Sequence, residues 1–117
     1  MSRAEEFARR RQRGNQQLLR RGDLSLKRFL ALDDDVYADG QLPARTKELL
    51  GLVASLVLRC DDCVTYHLLQ ARRHGVSSEE VMETMTVALV VGGSVVIPHL
   101  RKAMELLEEE EHGNDTA

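Results

Sequence analysis

Apolar residues recur three and four positions apart along most of the chain, the spacing that brings side chains to one face of a helix. Aromatic residues make up only 3% of the sequence, and there are just two prolines. Leu, Ala, Arg and Glu dominate instead, and these residues favour helices. The pattern therefore predicts an all-α fold, a bundle of about five to six helices.

Residues that start or stop helices divide this pattern into segments. An Asp39-Gly40 turn predicts the end of the second helix, and Pro43 suits the first turn of the third. A capping-box pattern, Ser77-x-x-Glu80, predicts the start of a later helix. The predicted helices cover residues 2–21, 24–38, 43–58, 61–74, 78–91 and 94–111.

Two segments, residues 49–58 and 87–97, are far more apolar than the rest. We expect the first to form a largely buried helix. The second is much shorter than the roughly twenty apolar residues that a membrane-spanning helix needs. It is therefore predicted to be core or subunit interface, and no contact with a membrane is expected.

Length and composition predict one globular domain. The chain has 117 residues, of which 43% are hydrophobic and 30% charged. We expect a single all-helical domain over residues 1–112, with a basic N-terminal helix at 1–22, a core at 23–111 and a disordered tail at 113–117. Because the N-terminus lacks an apolar leader and there are only two cysteines, the expected location is the reducing cytoplasm.

Charge is unevenly distributed along the chain. Residues 1–28 carry nine Lys/Arg against three Asp/Glu, a formal charge of +6, while the whole chain carries −3. A basic arm can bind nucleic acid, but this one has no aromatic residues suited to stacking on bases. No nucleic-acid partner is therefore expected. The basic residues are interpreted as a helical face that pairs with acidic surface of this chain or of a second copy.

The candidate chemistry lies in the segment Cys60-Asp61-Asp62-Cys63-Val64-Thr65-Tyr66-His67. It contains both cysteines of the chain. If the segment is helical, the spacings of three and four place Cys60, Cys63 and His67 along one face. A helix N-terminus stabilises thiolates, and an imidazole one turn further on can act as a base. The spacing predicts a site of dithiol–disulfide chemistry.

A third group is needed to orient His67, and Glu48 is the candidate because it interrupts an apolar helix. The alternative is that Glu48 lies near the solvent-facing end of that helix and pairs with Arg45 or Lys47. Taken alone, each cysteine could also be a small buried hydrophobe, and His67 an ordinary core or surface histidine. The functional interpretation depends on the four residues occurring together.

Metal binding is the other active alternative. Cys60, Cys63 and His67 could supply three zinc ligands, with His74, His99 or an acidic residue as the fourth. Zinc sites usually draw ligands from more than one segment, and the sequence shows no second cluster, so no metal is predicted. His74 fits the C-terminal end of its helix, whereas the sequence offers no partner for His99.

The combined spacing Glu48-x11-Cys60-x2-Cys63-x3-His67 resembles the carboxymuconolactone decarboxylase family, specifically its alkylhydroperoxidase D-like branch. The resemblance covers about residues 23–110. It implies an alkylhydroperoxidase D-like helical bundle that assembles as a homotrimer or homohexamer, with sites near the subunit interfaces.

The resemblance also implies an activity. In that branch the cysteine pair reduces peroxides or passes electrons to a peroxiredoxin, and the glutamate and histidine form a proton relay. Carried over, Cys60 and Cys63 are the redox pair, and Glu48 and His67 the relay. Because Cys63 is nearer to His67, we assign it as the attacking thiolate, although Cys60 is nearer to the exposed helix start and the order could be reversed.

The predicted protein is thus a peroxiredoxin-like oxidoreductase that acts on a small peroxide or a disulfide. No cofactor is expected, because the sequence shows no flavin or nicotinamide site, so electrons would come from an external thiol or dithiol donor. Typical members of the branch have a histidine where this chain has Asp62, and a carboxylate there opposes thiolate formation.

Two alternatives come from the same resemblance. Lactone decarboxylation is the family's other activity, but it has no use for a dithiol, and true decarboxylases generally lack the cysteine pair. A non-enzymatic oligomeric scaffold is the third possibility.

Overall fold

The computed structural model describes residues 1–116, with side chains described as far as Gly113. Within that range the chain forms α-helices and one short 3-10 turn, and it contains no strand. The all-α fold is confirmed. The helices are α1 (Arg3–Arg21), α2 (Leu24–Val36), α3 (Ala44–Leu58), α4 (Asp61–Arg73), α5 (Ser78–Gly92) and α6 (Ile97–Thr116).

The chain divides into two compact units, Met1–Asp39 and Gly40–Ala117. The single domain expected over residues 1–112 stays a prediction. The N-terminal unit contains α1 and α2, which contact each other. The side chains of Ser2 and Asp23 cap these helices by accepting from the amides of Glu5 and Leu26. Neither helix contains a buried residue, so their apolar side chains remain at least partly accessible in the single chain.

The C-terminal unit holds the hydrophobic core. Helix α3 packs against both α4 and α5, and α6 packs against α4. Each helix contributes to this core, and its largest fully buried side chains are Leu52, Leu56, Leu68, Val76, Val81, Val96 and Leu107. Burying one such side chain stabilises a fold by about 1.5–3 kcal/mol, so these contacts fix the positions of α3 and α4.

Helix α3 is buried on one face only, which corrects the expectation of a largely buried helix. Leu52 and Leu56 are fully buried, whereas Leu50 and Leu58 on the other side are exposed. The segment 87–97 is divided in the same way: Ala88 is buried, and four of its valines are exposed. The apolar density of both segments therefore exceeds what the core of one chain accommodates.

The predicted start of α5 is confirmed, whereas both ends of α6 differ from the prediction. Ser77 and Glu80 form the predicted capping box at the start of α5, with each side chain accepting from the other residue's amide. At the last joint, Ser94–Val96 forms a 3-10 turn, so α6 starts three residues later than predicted, with Pro98 in its first turn. Helix α6 runs to Thr116 rather than ending near residue 111, where a disordered tail was predicted to follow. Ala117, the last residue of that tail, lies outside the described residues.

Candidate functional site

A tight turn between α3 and α4 places the cysteine pair. Arg59 has a left-handed backbone with φ of 60°, and its amide donates to the Leu56 carbonyl at 3.1 Å. The Cys60 amide then donates to the Ser55 carbonyl at 3.0 Å. These two hydrogen bonds form a Schellman motif, which closes α3 and turns the chain directly into α4.

Cys60 is the N-cap of α4, and its Sγ accepts a hydrogen bond from the Cys63 amide at 3.3 Å. The predicted helical placement of the motif is therefore confirmed. The two cysteines form a disulfide with a Cα–Cα distance of 5.3 Å. Cys63 is exposed, while Cys60 is partly buried. The more exposed cysteine is thus the one that lies a single helical turn before His67.

Helices α3 and α4 bring Glu48 and His67 together in the interior. His67 Nδ1 and Glu48 Oε2 are 3.0 Å apart, and the two residues are only 9% and 3% exposed. When the Glu48 carboxylate is ionised it can only accept, so in that state Nδ1 is the donor of this hydrogen bond. The alternative placement of Glu48 at a solvent-facing helix end is wrong, since Arg45 pairs with Glu80 instead.

Gly51 lets the imidazole lie against the backbone of α3. A Cβ atom at this position would come within 2.7 Å of both Cε1 and Nδ1 of His67. Such a contact is too short for any side chain larger than hydrogen, so glycine here is a steric requirement of the Glu48–His67 pair. Sequence analysis missed this residue, although a single glycine inside an apolar helix is the kind of signal that indicates close packing.

A second histidine–carboxylate pair lies beside the cysteines. Asp61, the first residue of α4, contacts His99 Nδ1 through Oδ1 at 2.6 Å and accepts from Lys102 Nζ through Oδ2 at 2.8 Å. No partner for His99 could be predicted from the sequence, and Asp61 was predicted only to start a helix. Only the packing of α6 on α4 could reveal this cluster, because about forty residues separate its members.

The charges of this cluster compensate one another. The hydrogen bond from Lys102, with that from His99, lowers the pKa of Asp61 below its usual value. The next residue, Asp62, is exposed. The first turn of α4 therefore carries one carboxylate held by Lys102 and His99 and one that faces solvent.

The remaining histidines lie away from these pairs. His74 is the C-cap of α4, as predicted, and His112 is exposed on α6. In the part of the chain that the structure describes, no three His, Cys, Asp or Glu side chains converge as metal ligands would. Over the same residues, none of the helices combines the length and apolar character needed to cross a bilayer.

Comparison with known proteins identifies relatives. A model of the carboxymuconolactone decarboxylase family matches residues 23–109. A Paracoccus denitrificans protein named "uncharacterized protein 4 in cox locus" is 38% identical over 81 residues, which are 69% of this chain and 73% of that protein.

Solved structures extend the likeness to the fold. Two crystal structures of one Thermotoga maritima protein are 50% identical to this chain, with TM-scores of 0.93 and 0.90. The first likeness covers 97% of this chain and 99% of that chain, the second 95% and 94%. The second structure is described as a carboxymuconolactone decarboxylase family protein for which a part in the antioxidative response has been suggested. A family member from Legionella pneumophila is 23% identical, with a TM-score of 0.77 over 96% of this chain and 97% of that one, and shares the fold alone.

Proposed function

This chain belongs to the carboxymuconolactone decarboxylase family, and within it we propose that the protein is a thiol-dependent oxidoreductase that reduces peroxides or disulfides through Cys60 and Cys63. The observation that carries this proposal is the buried Glu48–His67 pair, one helical turn from the exposed Cys63 of a Cys60–Cys63 disulfide. The antioxidative role suggested for the Thermotoga maritima relative agrees with it.

The proposed reaction begins with the reduced cysteine pair. The Cys63 thiolate attacks one oxygen of a hydroperoxide, the O–O bond breaks, and an alcohol leaves after taking up a proton. Cys63 is then a sulfenic acid. Attack by the Cys60 thiol on that sulfur forms the disulfide and releases water. An external dithiol restores the pair by giving up two electrons and two protons and becoming a disulfide itself.

His67 and Glu48 have defined tasks in this scheme. His67 takes the Cys63 proton and returns a proton to the leaving oxygen, the part of a general base and then a general acid. Glu48 holds the proton on Nδ1 and balances the charge of the imidazolium. With no pairing carboxylate in this interior position, a charged imidazolium would have to be buried alone, which is costly.

Thiol titration tests the proposal. Protein reduced with dithiothreitol and then freed of it receives one equivalent of cumene hydroperoxide, and the remaining thiols are counted over time. We expect loss of two thiols per chain and a mass decrease that corresponds to an intramolecular disulfide. His67→Ala and Glu48→Ala should slow this loss by about 10²- to 10⁴-fold, the usual contribution of a general acid–base group.

His74→Ala is the matched control, because it removes an exposed histidine from the end of the same helix. This variant should react at the wild-type rate. The same titration is repeated with a small disulfide in place of the peroxide. If the thiols remain unchanged with both oxidants, the redox proposal is overturned. Lactone decarboxylation then becomes the family activity to assay.

We also propose that the protein assembles as a homo-oligomer, a trimer or hexamer. Gly92 lies against Val57, so the C-terminal ends of α3 and α5 meet. Around this contact four apolar side chains are exposed, with Leu58 at 77% and Val90 at 81%. We call Leu58, Val90, Val91 and Val95 the apolar end surface. Apolar side chains exposed to this extent on a single chain are typical of protein interfaces, and Leu58 stands two residues before Cys60.

The cytoplasmic location stays a prediction. It would suit the proposed chemistry, because a dithiol site needs a reducing environment to be restored after each turnover.

A further inference from the structure

A polar cluster separate from Glu48 and His67 lies at the start of α4, next to the cysteines. It consists of Asp61, His99 and Lys102. Asp61 follows Cys60 directly and precedes Cys63 by two residues, so its carboxylate is part of the turn that carries both sulfurs. Its two oxygens are occupied by groups from a different helix, His99 and Lys102 of α6.

A carboxylate at this place affects the two redox states unequally. The disulfide is uncharged, whereas the reduced pair gains negative charge when either cysteine becomes a thiolate. An uncompensated Asp61 would repel that thiolate and disfavour the reduced state. Lys102 lies 2.8 Å from Oδ2 and supplies the opposite charge, so it removes most of this repulsion.

We propose that Lys102 and His99, which hold the Asp61 carboxylate, are positioning residues that set the reduction potential of the Cys60–Cys63 disulfide. The proposal rests on the redox function proposed above. In the step concerned, a dithiol donor breaks the Cys60–Cys63 bond, loses two electrons and becomes a disulfide. When one cysteine stays a thiolate, the reduced pair takes up one proton rather than two. The negative charge of that thiolate is the charge that an unpaired Asp61 would repel.

Substitutions of Lys102 and Asp61 should change the reduction potential in opposite directions. Lys102→Met leaves the Asp61 charge unbalanced, so the disulfide becomes harder to reduce. Asp61→Asn removes the repelling charge and leaves the positive charge of Lys102 without its partner, so the disulfide becomes easier to reduce. The double variant returns close to the wild-type value. Loosening of the turn would move all variants in one direction, which distinguishes electrostatic tuning from a structural effect.

The experiment measures the equilibrium constant for reduction of the protein disulfide by glutathione at neutral pH. Samples are quenched with acid, and their free thiols are alkylated and counted. We expect each single variant to shift this constant about three- to tenfold, since partly exposed charges are screened. A tenfold change equals about 30 mV for a two-electron couple. The shifts should shrink at about 1 M salt, where the screening length falls to about 3 Å.

Arg101→Met is the matched control, because it removes an exposed cation from the neighbouring position of α6. It should leave the constant unchanged. The inference is overturned if Lys102→Met and Asp61→Asn shift the constant in the same direction, or if neither shifts it. A wild-type disulfide that dithiothreitol cannot reduce would instead contradict the redox function itself, so the two failures are distinguishable.

Discussion

The carboxylate of Glu48 and the imidazole of His67 meet at 3.0 Å in the interior, although nineteen residues separate them in sequence. Two buried ionisable groups satisfy each other here, and each would be costly to bury alone. The contact joins α3 to α4 across the interior of the C-terminal unit. The same hydrogen bond therefore contributes to stability and to the proposed chemistry.

Glu48→Gln should separate these two contributions. The amide oxygen still accepts from Nδ1, so the free energy of unfolding should fall by less than about 1 kcal/mol. Glu48→Ala leaves the ring nitrogen unsatisfied and should cost about 1–3 kcal/mol. Both variants should slow peroxide-driven disulfide formation, because neither balances an imidazolium. Urea denaturation and thiol titration measure the two effects, and equal stability loss in both variants would contradict the assignment.

Gly51→Ala should displace the His67 ring. The added methyl group would lie 2.7 Å from ring atoms, and overpacking of this kind costs about 1–3 kcal/mol. Alanine favours a helix by about 1 kcal/mol over glycine, so the net loss of stability is smaller than the steric cost. Disulfide formation should slow as well. Gly14→Ala is the control, because nothing lies within 4 Å of that position and the change should stabilise α1. A Gly51→Ala protein more stable than wild type would show that the ring does not rest on this glycine.

Arg59→Gly should stabilise the turn before Cys60. Arg59 is the one non-glycine residue with positive φ among residues 1–116. A left-handed conformation costs an L-residue about 1–2 kcal/mol, and glycine offsets part of that gain through its unfolded-state entropy. We expect a rise of about 0.5–1 kcal/mol in the free energy of unfolding, measured by chemical denaturation. Arg59→Ala keeps the strained backbone and should change stability little. A loss of stability in Arg59→Gly would mean that the arginine side chain holds the turn.

The free energy of unfolding should fall in acid, partly because the carboxylates of Asp61 and Glu80 become protonated. Hydrogen bonds from Lys102 and His99 lower the pKa of Asp61, and those from the Ser77 amide and Arg45 lower the pKa of Glu80. Both groups bind protons more weakly in the folded state. Their contribution is therefore complete above their unfolded pKa values, about 4, and is lost as the pH falls through the lowered folded values.

The Asp61→Asn/Glu80→Gln double variant checks this linkage by urea denaturation between about pH 6 and about pH 3. It should be less stable than wild type at the upper end, and its stability should depend less on pH below about pH 4.5. Parallel curves for the two proteins would exclude these carboxylates as the source.

Val90→Asp should weaken self-association. The side chain is 81% exposed in the single chain, so a carboxylate there should leave the fold intact while placing a charge in the proposed interface. Sedimentation velocity should show smaller species than for the wild type, with unchanged helical circular dichroism. Arg73→Asp alters an exposed residue at the end of α4 and should leave the assembly as it is. A wild-type protein that sediments as a monomer would contradict the proposed assembly directly.

The helices could be predicted from the sequence, because helix formation depends on residues that are close together along the chain. The spacing of apolar residues predicted helices, and the capping box at Ser77 marked the start of α5 correctly. The relation of Cys60 and Cys63 was also predictable, because three residues in the first turn of a helix fix it. The association of Glu48 with His67 was proposed from chemistry, since a carboxylate in an apolar helix needs a partner.

Tertiary packing decided the rest. Periodicity could not indicate that Leu50 and Leu58 face outward, because an interface and a core have the same apolar pattern. Nor could it place His99 beside Asp61, since that contact depends on how α6 crosses α4. The requirement for Gly51 likewise appears only when α3 and α4 are brought together. Sequence determined the helices and the placement of the cysteine pair, because these depend on neighbours along the chain. The groups that surround the pair depend on contacts between residues far apart in sequence.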